Sequence, residues 1–222
     1  MQSATEYLDK SESAMRKLFE GIDSYFAPLR RSQSLAFESS TADDEQRQVE
    51  REAWLRKNKN AITASFVNQR EFVAENFAQA VLCGAVLQVA AKAIEIYSVN
   101  ARVSSEWKSV IGNNNINAVS FCYGRPIRGI PLGLIIYAGR NQHAHFKDKK
   151  LHEPSNTVFE RLAARNSSGS EMANRDPAFD LTNDRLISYA SNITSLIGWD
   201  TYGAYNQDIR KLLELKEPRS KR

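Results

Sequence analysis

The residues of this chain best suited to chemistry lie together in its middle, in Gly139-Arg140-Asn141-Gln142-His143-Ala144-His145-Phe146. Arg140 supplies a permanent cation, Asn141 an amide that donates and accepts, and His145 an imidazole that can take and give protons. On a helix, Asn141 and His145 lie one turn apart on one face. Arg140 sits about 140° round from His145, but its stem is long enough to reach over. A cation, an amide and an imidazole then converge. Such a set can grip a phosphate and move a proton without a metal. Each residue also has an ordinary explanation. Arg140 can be a helix-surface cation paired with a carboxylate, and His145 a structural histidine held by Asn141. The eleven residues from Gly129 to Gly139 carry no charge, so Arg140 opens a polar patch at the end of an apolar run.

The surrounding residues offer accessories. Asp148 stands three residues after His145 and can orient its ring. Lys147, Arg125 and Arg128 can add positive charge for a phosphate-bearing substrate, and His143 can assist or face another surface. The three histidines, His143, His145 and His152, fall within ten residues, which raises a metal site. On a helix His143 and His145 point about 200° apart and cannot share an ion. His145 and His152 share a face but are separated by about 10 Å along the axis. The expectation is no metal and no cofactor.

The segment resembles the HEPN superfamily, whose signature is an arginine, a polar residue (often asparagine), about three variable residues and a histidine. Here it reads Arg140-Asn141-Gln142-His143-Ala144-His145, and the approach from Gly124 to Ala138 is similar to that of a bacterial subgroup. The resemblance covers roughly residues 120–165. It implies a metal-independent endoribonuclease acting on single-stranded RNA. The substrate's own 2′-OH would attack phosphorus, His145 would move the proton, Arg140 would stabilise the phosphorane, and Asn141 would position either. Products would be a 2′,3′-cyclic phosphate and a 5′-OH. The resemblance further implies a homodimer with a composite site, and a toxin or antiphage-type effector restrained by an antitoxin or other regulatory protein. Two alternatives stay open: a non-catalytic HEPN protein that binds RNA or acts as a scaffold, and a helical interaction module.

Composition narrows the field. Net charge is +4, but the excess is local: residues 101–165 carry ten Lys/Arg against four Asp/Glu. That is the third containing the motif, and local positive charge favours a phosphate-bearing partner. The best apolar stretch, Asn76 to Ala91, is sixteen residues without a charge and falls short of the ~20 that span a bilayer. The N-terminus lacks a basic-then-apolar leader pattern. These observations predict a cytoplasmic protein with no membrane partner. Two cysteines are too few for a disulfide framework, and Cys83 reads as a small core residue.

The elements that must position the motif read as helices. Apolar spacing predicts one over residues 4–30, ended by Pro28. Thr41 with Asp43, Asp44 and Glu45 marks another helix start, followed by a densely charged stretch. Residues 70–98, with Phe72, Val73, Phe77, Val81, Val86, Val89 and Ile94, predict the central core helix. A short helix over 102–111 carries Trp107, and Gly112 to Asn115 breaks the chain. Pro131 begins the motif helix, which runs to near Lys149. Glu153-Pro154 opens the next, residues 165–180 read as a loop, and Asn183 caps a last region broken near Gly198 or Gly203. Gly133, Ala138 and Gly139 suit either a subunit interface or packing within one subunit. No strand is convincing. The class is all-α, an antiparallel bundle, with residues 1–69 as an N-terminal helical arm and 70–222 as the bundle. A single domain over 1–215 with a basic tail at 216–222 is the other division.

Overall fold

The computed structural model describes residues 3–31, 37–41, 43–112, 115–147, 150–164, 175–184, 186 and 188–215, without side chains for 26–31 and 65–76. With 67% of residues in helices and 2% in strands, the fold is all-α. The helices are α1 (Ala4–Arg31), α2 (Asp44–Lys57), α3 (Lys59–Tyr97), α4 (Ser105–Ile111), α5 (Leu132–Ala144), α6 (Ser155–Ala163), α7 (Ala190–Leu196) and α8 (Tyr202–Leu212). A 3-10 helix, Ile116–Phe121, follows α4.

The chain divides into two compact units, one of Met1–Ile22 with Gln79–Arg222, the other of Asp23–Ala78. This differs from an arm ending at residue 69. The first 22 residues join the bundle because their apolar stripe is consumed there. Tyr7, Leu8, Met15, Phe19 and Ile22 are all buried. Tyr7 donates from its hydroxyl to the Val89 carbonyl at 3.1 Å, and Phe19 packs against Tyr205 with ring centroids 5.8 Å apart.

In the smaller unit, α2 buries no residue, as its alternating charge predicts. Its start is fixed by Asp43, whose carboxylate accepts from the Glu45 N–H at 3.0 Å. Phe37 packs on Trp54 with centroids 5.9 Å apart. Pro28 does not stop α1, which continues to Arg31; this close to the end a proline removes little of the backbone ladder.

In the larger unit, α3 is the core helix. Cys83, Val86, Leu87, Ala90, Ala91, Ala93 and Ile94 are buried, and burial pushes the Cys83 thiol above its usual range. Two expected core residues are not: Val81 is 43% exposed here, and Phe77, in the smaller unit, is 49% exposed. The charge-free count also needs correcting. Phe77–Tyr97, 21 residues, is long and apolar enough to cross a membrane by length and composition. Lys92 ends the uncharged run, but Lys92 and Glu95, the two charged residues of this stretch, pair with each other at 3.3 Å. Core helices pass the same test, and about half of this stretch (56%) is buried inside the fold.

The turn-rich approach to α5, expected to hold no strand, forms a minimal antiparallel hairpin. Pro126–Ile127 (β1) pairs with Ile130–Pro131 (β2). Arg128 and Gly129, both at positive φ, make the two-residue turn. The hairpin delivers the chain into α5, whose first amides are met by carbonyls: Leu132 N–H donates to Arg125 and Gly133 N–H to Tyr123, both at 3.0 Å. A Cβ on Gly133 would lie 2.3 Å from the Phe121 carbonyl oxygen, so only glycine fits. α5 packs against α6, α7 and the 3-10 helix. The last helical region is broken at Gly198, which takes φ +73 between α7 and α8.

Candidate active site

α5 is buried over Leu132 to Ile136, and Ala138, Gly139 and Gln142 are buried further along. Ala138 and Gly139 are used inside the subunit: a Cβ on Gly139 would stand 3.1 Å from both Ile193 and Leu87. The motif therefore leaves the core at the C-terminal end of a helix enclosed on most sides. The helix is shorter than its spacing predicted. It ends at Ala144, and His145 is the C-cap, at φ −119 and ψ 36. The His145 amide still donates to the Asn141 carbonyl at 3.0 Å, so the two residues keep their one-turn backbone relation.

The side chains are sorted by this geometry. Arg140 reaches back to α3, where its Nη2 donates to Glu95 Oε1 at 2.7 Å. Its guanidinium lies 5.5 Å from the Tyr137 ring centroid, and its Nε is buried without a hydrogen-bond partner. The side chain is 21% exposed. Asn141 does not orient an imidazole; it donates from Nδ2 to Ser155 Oγ on α6 at 3.0 Å. Gln142 accepts the Tyr189 N–H at 2.9 Å. His145 is solvent-exposed beside Phe146 and Lys147, and the Lys147 ammonium lies 5.8 Å from the Phe146 ring centroid.

His143 occupies a notch in the bundle. A Cβ added to Gly84 would fall 2.1 Å from His143 Nε2, so α3 makes room for the ring by having no side chain there. On the other side Nδ1 lies 3.0 Å from Ser188 Oγ. Ser188 also accepts from the Ala190 N–H at 3.3 Å, so its hydroxyl links the ring to the start of α7. Burial lowers the His143 pKa from its ordinary value. The histidine read as accessory is thus tied into the fold, a role whose signal lay in a glycine on another helix.

Two of the expected accessory cations are committed elsewhere. Arg125 grips Asp208 on α8 through Nε at 3.1 Å and Nη2 at 2.8 Å, and also donates to the Ile197 carbonyl. Asp208 accepts from the Trp199 indole at 3.0 Å as well. Arg128 donates to Asp176 at 3.0 Å and to the Leu162 carbonyl at 2.6 Å, with its guanidinium 5.1 Å from the Phe179 ring centroid. Neither reads as a substrate contact: both tie loops to the bundle. Asp148 and the tail at 216–222 lie outside the described residues, as does most of the loop expected over 165–180. Of the ten cations in residues 101–165, Arg161 is also paired, with Glu106.

Beside the Arg140–Glu95 pair a cleft of about 440 Å³ opens, lined by Glu95, Ile116, Asn117 and Ser120. Nothing in the sequence marked it, because its walls come from the end of α3 and the 3-10 helix. Among the described residues, no three His, Cys, Asp or Glu side chains are grouped to hold a metal ion.

No protein-family model matches the chain, and no curated protein or solved structure resembles it significantly.

Proposed function

We propose that this chain is a HEPN-type endoribonuclease that cleaves single-stranded RNA without a metal, working as a homodimer with a composite site. One observation carries the reading. Asn141, Gln142 and His143 hydrogen-bond into the bundle; His145 is exposed, and Arg140, 21% exposed, has guanidinium N–H groups beyond the one given to Glu95. His145 and Arg140 are the pair that RNA transesterification needs. His145, at the open end of α5, takes the proton from the attacking 2′-OH or returns one to the leaving 5′-oxygen. Arg140 receives the developing phosphorane charge from a position already fixed by Glu95 and Tyr137. Fixed donors of this kind cost no reorganisation during the reaction. The small residues of α5 are packed within one chain, so support for the dimer comes from the family resemblance alone.

A second reading, RNA binding without cleavage, is favoured by the Glu95 contact, which neutralises Arg140. One experiment separates the two. The purified full chain is incubated with a labelled single-stranded RNA in excess EDTA, and product ends are identified. Cleavage to 2′,3′-cyclic phosphates supports the enzyme. Retention of intact RNA in a gel shift supports the binding protein. Loss of cleavage in EDTA with rescue by one divalent ion overturns the metal-independent mechanism.

A further inference from the structure

We infer that Phe146 is a stacking platform for an unpaired nucleobase, with Lys147 and Lys150 holding the strand's phosphates beside it, so that the chain leaving α5 seats single-stranded RNA against His145 whatever its sequence. The inference rests on the RNA reading of His145 given above. Its geometric basis is the end of α5. The helix stops at Ala144, and the chain turns over His145, Phe146 and Lys147, all of them exposed.

A benzene ring does nothing for such a turn. Turns favour residues that hydrogen-bond to their own backbone or pre-set its dihedrals, and phenylalanine does neither. Phe146 is 40% exposed. Among the described residues it makes no ring–ring contact, and its ring meets one cation, the Lys147 ammonium, 5.8 Å from the centroid. An ammonium covers at most one face of a ring, so a face remains for a base. A single exposed phenylalanine is ordinary on a protein surface. This one is set apart by its neighbours. Arg125, Arg128, Arg140 and Arg161 are all held by carboxylates. Lys147 and Lys150 are exposed, and among the described residues neither meets a carboxylate. Uncompensated positive charge thus adjoins the ring.

An aromatic face with free cations beside it is how single strands are bound: bases stack on the ring, and the cations follow the backbone. Duplex RNA is a poor fit, because its bases are already stacked on one another. Every base has a π-face, so stacking of this kind tolerates any sequence. Adjacent α-carbons are about 3.8 Å apart. Even with the two side chains turned apart, a base on Phe146 lies within about one or two nucleotides of the phosphate on which His145 acts. Phe146 is therefore a positioning residue for the substrate.

The test uses the full chain and short 2′-O-methyl oligo-A and oligo-U, which cannot be cleaved, with affinity read by fluorescence anisotropy. At fixed salt, Phe146→Ala should weaken both by about tenfold, within the range for one stacked base. Phe146→Leu keeps apolar bulk without a π-face and should weaken both as much, whereas Phe146→Trp should bind at least as tightly as wild type. Lys147→Ala should flatten the salt dependence by a slope of about one. Circular dichroism checks that the variants are folded. If Phe146→Ala or Phe146→Leu binds as tightly as wild type, or Lys147→Ala leaves the salt slope unchanged, the platform is overturned while the RNA reading stands. A duplex bound as tightly as the single strands overturns it too. If wild type binds neither oligonucleotide and cleaves no RNA, the RNA reading falls and the platform with it.

Discussion

Gly84→Ala is the sharpest test of how the motif helix is held. The new Cβ would stand 2.1 Å from His143 Nε2, well inside any real contact, so the imidazole must move. Moving it strains the 3.0 Å bond to Ser188. Overpacking of this kind costs about 1–3 kcal/mol. Against that, alanine gains about 1 kcal/mol over glycine inside a helix. The single substitution should therefore destabilise the fold by about 0–2 kcal/mol. In a His143→Ala background the obstacle is gone, and only the helix term remains. There Gly84→Ala should stabilise by about 1 kcal/mol. The cycle predicts a coupling of about 1–3 kcal/mol, large for a glycine and a histidine 59 residues apart in sequence. Four proteins and urea melts with a common slope measure it. If Gly84→Ala has the same effect with and without His143, the imidazole does not fill the notch and the assignment of His143 to the fold is wrong.

Three further outcomes follow from the same geometry. Arg140→Ala and His145→Ala should each lower cleavage by about 10²-fold or more per folded molecule, whereas His143→Ala should act mainly on stability; a loss confined to His143→Ala in a labelled-RNA assay would shift the motif's register. Asp208→Ala should lower the melting temperature by several degrees, because it strands the buried Trp199 indole N–H, worth about 1–3 kcal/mol, and Asp208→Asn, which keeps an acceptor, should cost less; Arg125, about half exposed, can rehydrate. His143 should make stability pH-dependent: with its folded pKa lowered by burial, its contribution is complete above the unfolded value of about 6.5 and is lost as pH falls through the lowered folded value. Urea midpoints near neutrality and at mildly acid pH, compared between wild type and His143→Gln, check the sign; a steeper acid loss in the variant would refute it.

How far the chain could be read from its letters depended on the distance over which each residue finds its partner. Helices whose signals are local came through well. Asp43 caps α2 from two residues away, and the apolar stripe of α3 from Cys83 to Ile94 needs only its own period. Exposed Val81 shows the limit: periodicity says which residues share a face, not how far a neighbour extends along it. The all-α class follows from such local signals. The hairpin before α5 was missed because two-residue strands are shorter than any periodic pattern, although Arg128-Gly129 between them is a turn signal.

The site was legible as a cluster but not as an arrangement. Arg125 and Arg128 read as substrate cations because nothing nearby in sequence neutralises them. Their partners, Asp208 and Asp176, lie 83 and 48 residues on. Arg140 and Glu95 are 45 residues apart, on different helices. His143 was ranked below His145 by helical angle, and the angle was sound, but it could not say that α3 leaves a gap at Gly84.

The same long-range pairs revise what the charge excess means. Ten cations against four carboxylates in residues 101–165 suggest an extended basic surface. Four of the ten, Arg125, Arg128, Arg140 and Arg161, are held by carboxylates, three of which, Glu95, Asp176 and Asp208, lie outside that stretch of sequence. Pairing of this kind leaves the excess a local tally and not a field. On the proposed ribonuclease reading, a phosphate arriving at Arg140 would meet a pair whose net charge is near zero. It would gain most by taking a second guanidinium donor while Glu95 keeps the first, since a planar guanidinium has five N–H groups to share. The carboxylate would then fix the cation's orientation and limit non-specific capture of polyanions.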